Sequence, residues 1–145
     1  MIDMFEWQRT KCSAFWRRQN GDVEGAIADM RKAVEMIRPV RKLAKETADA
    51  LNYLADLYLL AGNDDRAEEA LRESIAFARP RNANILSANF WILGNMQLRQ
   101  GRVHEALTSA EESLREGRRL LKSNDYAVRR AEELIREIAD RSLSG

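Results

Sequence analysis

A glycine followed five residues later by an alanine recurs three times along the chain, as Gly21…Ala26, Gly62…Ala67 and Gly101…Ala106. Successive glycines lie 41 and 39 residues apart, and two of the units carry a proline at the same later offset, Pro39 and Pro80. A period of about 40 residues marks a chain built from stacked copies of one supersecondary unit, none of which buries its apolar face alone. Such arrays present long surfaces, and their function usually lies in what those surfaces hold. The beat therefore argues for a binding or structural protein over an enzyme.

The second unit shows what the beat punctuates. Leu51, Leu54, Ala55 and Tyr58 are spaced three and four apart, which places them on one face of a helix. Gly62 ends that helix, because a left-handed residue costs glycine nothing. Asn63 or Asp64 caps the next helix, expected from Asp65 to about Ala78 with Ala67, Leu71, Ser74 and Ile75 as its seam. Pro80 has no amide hydrogen and disfavours helix at Arg79, so it separates the units. The third unit repeats the pattern with Phe90, Leu93, Gly94 and Gln97, then Gly101, then Ala106, Ala110 and Ser113. Small residues at Ala55, Gly94, Ala67 and Ala106 let paired helices approach closely; a bulky side chain there is expected to cost about 1–3 kcal/mol.

The first unit is degenerate. Gly21, Ala26, Met30, Ala33 and Pro39 match, but its first helix carries Thr10, Ser13, Ala14 and Arg17 where the others are mainly apolar, which predicts a weak seam. Terminal repeats are often atypical, since one face has no neighbour. After the third unit, Ser123-Asn124-Asp125 offers a cap. Val128, Ala131, Leu134, Ile135, Ile138 and Ala139 then trace an amphipathic helix whose other side is rich in Arg and Glu. The expected architecture is all-α: three helical hairpins and a C-terminal capping helix in one domain over 1–145, with repeats at about 3–39, 40–80 and 81–121 and the cap at about 124–142.

Composition agrees. Charged residues make up 32% of the chain, hydrophobic residues 45%, with two prolines. The 24 basic residues against 23 acidic ones leave no excess positive charge for sequence-independent nucleic-acid binding, so no nucleic-acid partner is expected. No run approaches the roughly 18 apolar residues of a membrane span, and the N-terminus does not read as a signal peptide, so no membrane partner is expected either. Cys12 is the only cysteine, which excludes an intramolecular disulfide and a cysteine metal cluster. It is expected to pack as a small apolar residue, and a reducing cytoplasmic location is the simplest setting for it.

No catalytic, metal or cofactor site is expected. His104 is the only histidine; His104-Glu105 begins like a zinc-protease helix, but the second histidine is missing, so the reading is a solvated turn residue. Asp64-Asp65 opens a helix and lacks calcium-loop spacing. The three beat glycines are turn glycines, not a phosphate-cradling loop.

Leu51, Leu54, Ala55, Tyr58, Gly62, Ala67, Leu71 and Pro80, and then Phe90, Leu93, Gly94, Gly101 and Ala106, resemble in order the tetratricopeptide repeat pattern. The resemblance covers roughly residues 7–121. The period is near 40 rather than the common value of about 34, as in the longer forms of kinesin light chain and Gram-positive peptide-sensing regulators. The resemblance implies a right-handed superhelix of antiparallel helix pairs, an α-solenoid whose first helices line a concave groove.

Carried onto this chain, the groove stripes are Lys11, Phe15 and Arg18; Asn52, Asp56 and Leu59; and Trp91, Asn95 and Leu98, with Arg99 nearby. Spacing alone puts each trio on one helical face; their alignment across helices is what the resemblance implies. Asparagine amides donate and accept at once, and so suit a peptide backbone. With aromatic residues and mixed charge beside them, they point to a protein or peptide partner held as an extended or helical segment. A competing expectation has Trp91 and Leu59 covered by neighbouring helices. The family's carboxylate clamp is not reproduced. Two other readings stay open. Met1, Ile2, Met4, Phe5, Trp7 and Trp16 on a poorly seamed first helix suit a homodimer; alternatively, the chain is a sensory or regulatory subunit of a larger system.

Overall fold

Each half-period of the beat becomes one helix. The structure, a computed structural model, describes residues 1–79, 81–120 and 125–144. Among these it forms α1 (Met4–Gln19), α2 (Val23–Ile37), a 3-10 turn (Arg41–Leu43), α3 (Ala44–Leu60), α4 (Asp64–Ala78), α5 (Ala83–Arg99), α6 (Val103–Arg118) and α7 (Asp125–Ser144). The fold is all-α, with helices packed in neighbouring pairs as a helical-repeat solenoid requires. The chain divides into two compact units, Met1–Phe77 and Ala78–Gly145. The expected break at Pro80 and the capping residues Ser123 and Asn124 lie outside the described residues; α7 begins at Asp125.

The three glycines share one turn. Gly21, Gly62 and Gly101 have φ of 81°, 77° and 79°, in the left-handed region. In each turn the glycine amide donates to the carbonyl three residues back (Arg18, Leu59, Leu98). The next amide donates to the carbonyl five back (Arg17, Tyr58, Gln97), at 2.8–2.9 Å. This is the Schellman closure, which satisfies carbonyls the helix end would leave open. After the first two turns the following helix is capped by a side chain. Asp22 accepts from the Gly25 amide at 2.9 Å. Asn63, not Asp64, accepts from the Arg66 amide at 3.2 Å. The third turn has Arg102 at the cap position and no side-chain cap.

In the first unit, α2 packs on α1 and α3, burying Ala26, Ile27, Met30, Ala33, Val34 and Ile37. The polar seam of α1 is not a weakness. Ser13 Oγ donates to Asp29 at 2.6 Å, Arg17 Nε lies 3.0 Å from Asp29, and Arg17 Nη1 lies 2.8 Å from Asp22. The Gly25 amide and then Arg17 hold the Asp22 carboxyl below its ordinary value. Charge-assisted bonds thus join α1 to α2. Two expectations fail on α1. Trp7 is 2% exposed and belongs to the core; Cys12 is exposed rather than packed.

The α3–α4 pair buries Leu51, Leu54, Ala55 and Tyr58 against Ala67, Leu71, Ser74 and Ile75, as the spacing predicts. Ser74 does more than fill the seam: its hydroxyl donates across the pair to the Ala48 carbonyl at 2.6 Å. In the second unit, Ser113 donates to the Ser87 carbonyl at 2.8 Å and Ser87 to the Ser113 carbonyl at 3.1 Å. The period of the beat therefore reappears in buried hydrogen bonds, since 48 and 74 shifted by 39 are 87 and 113. α7 packs on both α5 and α6. Its core residues are Ala127, Ala131, Leu134 and Ile138, whereas Ala139, expected in this stripe, is exposed.

Candidate binding face

In the first unit the α1 and α3 stripes meet through their side chains. The Phe15 ring stands edge-on to Tyr53, with centroids 4.7 Å apart, and Phe15 keeps 40% of its surface exposed. Arg18 Nη2 pairs with Asp56 Oδ2 at 2.8 Å, and the same guanidinium lies 5.3 Å from the Tyr53 ring centroid. Lys11 Nζ sits 4.2 Å over the Trp7 ring. Asn52, Asp56 and Leu59 are half-buried. Partial desolvation raises the Asp49 carboxyl above its ordinary value, against the opposing pull of Lys45 and Lys11. The face thus carries an aromatic pair, one ion pair, a half-buried amide and a lysine: apolar grip flanked by both signs of charge.

In the second unit the α5 residues behave differently. Leu98 is 4% exposed and sits in a cluster with Ala106, Ala110, Leu134 and Ile138, so it is core and not a groove residue. Trp91 is half-buried, packed against the edge of that cluster, with the Arg130 guanidinium 5.3 Å from its ring centroid. Asn95 donates from Nδ2 to the Trp91 carbonyl at 2.9 Å, which commits that donor to its own helix. Arg99 is exposed.

The recurrent capped hairpins, the left-handed glycines and the small-residue seams are the determinants of one repeat. A profile of the tetratricopeptide repeat matches residues 7–79, half of the chain. The chain belongs to the tetratricopeptide repeat family. A search of curated proteins returns no match. Tetratricopeptide repeats are generally protein–protein interaction modules, and typically non-enzymatic.

Seen as a tetratricopeptide repeat chain, the molecule has two site residues that spacing did not single out. Tyr53 follows Asn52 directly and lies off the stripe that spacing marks, yet its ring contacts both Phe15 and Arg18. Arg130 lay on the charged side of the cap; the one available hint was Tyr126 four residues earlier, a spacing that stacks side chains on a helix. His104 is exposed in the first turn of α6. Among the described residues no group of His, Cys, Asp and Glu is arranged to hold a metal ion, and no helix is long and apolar enough to cross a membrane.

Proposed function

We propose that this chain binds a segment of a partner protein along the face formed by Lys11, Phe15 and Arg18 of α1 and Asn52, Asp56 and Leu59 of α3. What supports the reading is the Phe15–Tyr53 pair: an aromatic contact left open to solvent on a helix pair, bordered by an ion pair. Exposed aromatic surface rimmed by polar groups is a common anchor for partner side chains. The half-buried Asn52 amide beside it suits a main-chain contact. In the second unit, taken by itself, Leu98 is core and drops out of the reading. The site calls for no cofactor, and the partner's identity is open.

The test is affinity capture from native lysate with the wild-type chain and with Phe15→Ala/Asn52→Ala. The double variant is expected to lose the captured partner at least tenfold while keeping wild-type helicity by circular dichroism. Undiminished capture moves the binding site off this face.

A second reading is self-association through the outer side of α1, where Phe5 and Trp16 remain 86% and 67% exposed and Met4 42%. It predicts a dimer mass in light scattering that falls to the monomer value in Phe5→Ser/Trp16→Ser. A wild-type chain that stays monomeric at high concentration sinks it.

A further inference from the structure

Two aromatic rings flank Arg130. Its guanidinium carbon lies 5.3 Å from the Trp91 ring centroid and 5.4 Å from that of Tyr126, both within the roughly 6 Å over which a cation is attracted to a ring face. Tyr126 precedes it by one helical turn on α7, while Trp91 reaches it from α5. Arg130 Nε is buried and has no hydrogen-bond partner among the described residues. Arg130 forms no ion pair among the described residues, whereas four other arginines of the second unit do: Arg102 with Glu105, Arg115 with Glu112, Arg119 with Glu116 and Arg141 with Glu137. The helix it leans on offers no relief, since α5 contains no Asp or Glu at all.

A half-buried cation stacked on aromatic rings, with no ion pair among the described residues, is costly to the isolated protein, and the cost is recovered when an anion arrives. Desolvation pushes the Arg130 pKa below the ordinary arginine value, outweighing the charge interaction and hydrogen bond with Tyr126 that pull it up. Arg130 as a whole is only half-buried, and a planar guanidinium is the group that pairs with a carboxylate.

We propose that Trp91, Tyr126 and Arg130 form an acid-reading site: the rings orient the guanidinium, and Arg130 pairs with an Asp or Glu side chain in a segment of a partner protein. The inference rests on the reading of this chain as a binder of protein segments, and it adds a chemical preference to that reading. Arg130 is the specificity residue, and Trp91 and Tyr126 are positioning residues.

The test uses the full chain and a set of capped peptides. One has internal Glu residues and an amidated C-terminus, one has Gln at the same places, and one has Gln with a free C-terminal carboxylate. Binding is followed by the ¹⁵N resonances of the Arg130 Nε–H and the Trp91 indole N–H, assigned with Arg130→Lys and Trp91→Phe. The Glu peptide is expected to shift both signals and to bind at least tenfold more tightly than the amidated Gln peptide, with affinity falling as salt rises. Arg130→Gln is expected to abolish the preference at unchanged thermal midpoint, and Arg130→Lys to keep only part of it. Equal binding of Glu and Gln peptides, preference intact in Arg130→Gln, or no binding of the Glu peptide at millimolar concentration overturns the inference. So does a preference confined to the free C-terminus. Phe15→Ala/Asn52→Ala, run in parallel, separates the two proposals: charge-blind binding lost in that variant leaves the α1–α3 face standing without the acid-reading site.

Discussion

Leu134→Ala is expected to destabilise the second unit by about 2–5 kcal/mol, the range for removing a buried leucine side chain that its neighbours cannot replace. Leu134 is 2% exposed and packs with Leu98, Ala106, Ala110 and Ile138. Two of these are alanines on α6, with no reach to fill the space. α7 holds only one side of its surface against the α5–α6 hairpin, and Leu134 lies midway along that side between Ala131 and Ile138. Since whole domains are stable by about 5–15 kcal/mol, the variant should show a clearly lowered urea midpoint by circular dichroism. A loss below about 1 kcal/mol would mean that α7 contributes little to the fold.

Gly94→Leu is the complementary change, and it is expected to cost about 3 kcal/mol, at the upper end of overpacking. A Cβ built on Gly94 meets Leu134 Cδ2 at 3.0 Å, the Ala106 carbonyl oxygen at 3.4 Å and the Ala110 nitrogen at 3.5 Å. The first is the tip of a side chain and can give way; the other two are the backbone of α6. Gly94→Ala should accordingly be close to neutral, because alanine regains about 1 kcal/mol of helix propensity over glycine. Leucine has no such escape, since its branch must enter the space between α5 and the α6 backbone. Unfolding curves of the two variants measure the contrast; a Gly94→Leu variant as stable as Gly94→Ala would show that the helices do not meet this closely.

The fold was legible because its signals are local. The Gly–Ala beat reads directly as a Schellman turn followed by a tight helix contact, and each requires only residues near each other in sequence. The seam residues of α3 through α6 follow from helical spacing for the same reason. The α1 seam read as weak because periodicity counts apolar residues, and Ser13, Arg17, Asp22 and Asp29 bind through charge and hydrogen bonds that no hydropathy pattern records. Trp7 and Cys12 changed places because the side of α1 that meets its neighbours is set by those polar contacts. Leu98 shares a helical face with Trp91 and Asn95, but which edge of that face α7 covers depends on contacts between distant residues. The stacking of Arg130 on Trp91 joins positions 39 residues apart, and nothing in the spacing of either helix announces it.

Amide chemical-shift mapping of the ¹⁵N-labelled chain, titrated with a peptide fragment of the captured partner, tests the binding face most directly. The largest changes are expected at Lys11, Phe15, Arg18, Asn52, Tyr53 and Asp56. Changes concentrated on the outer residues of α2 and α4, such as Arg31, Glu35, Arg66 and Glu69, would contradict the account.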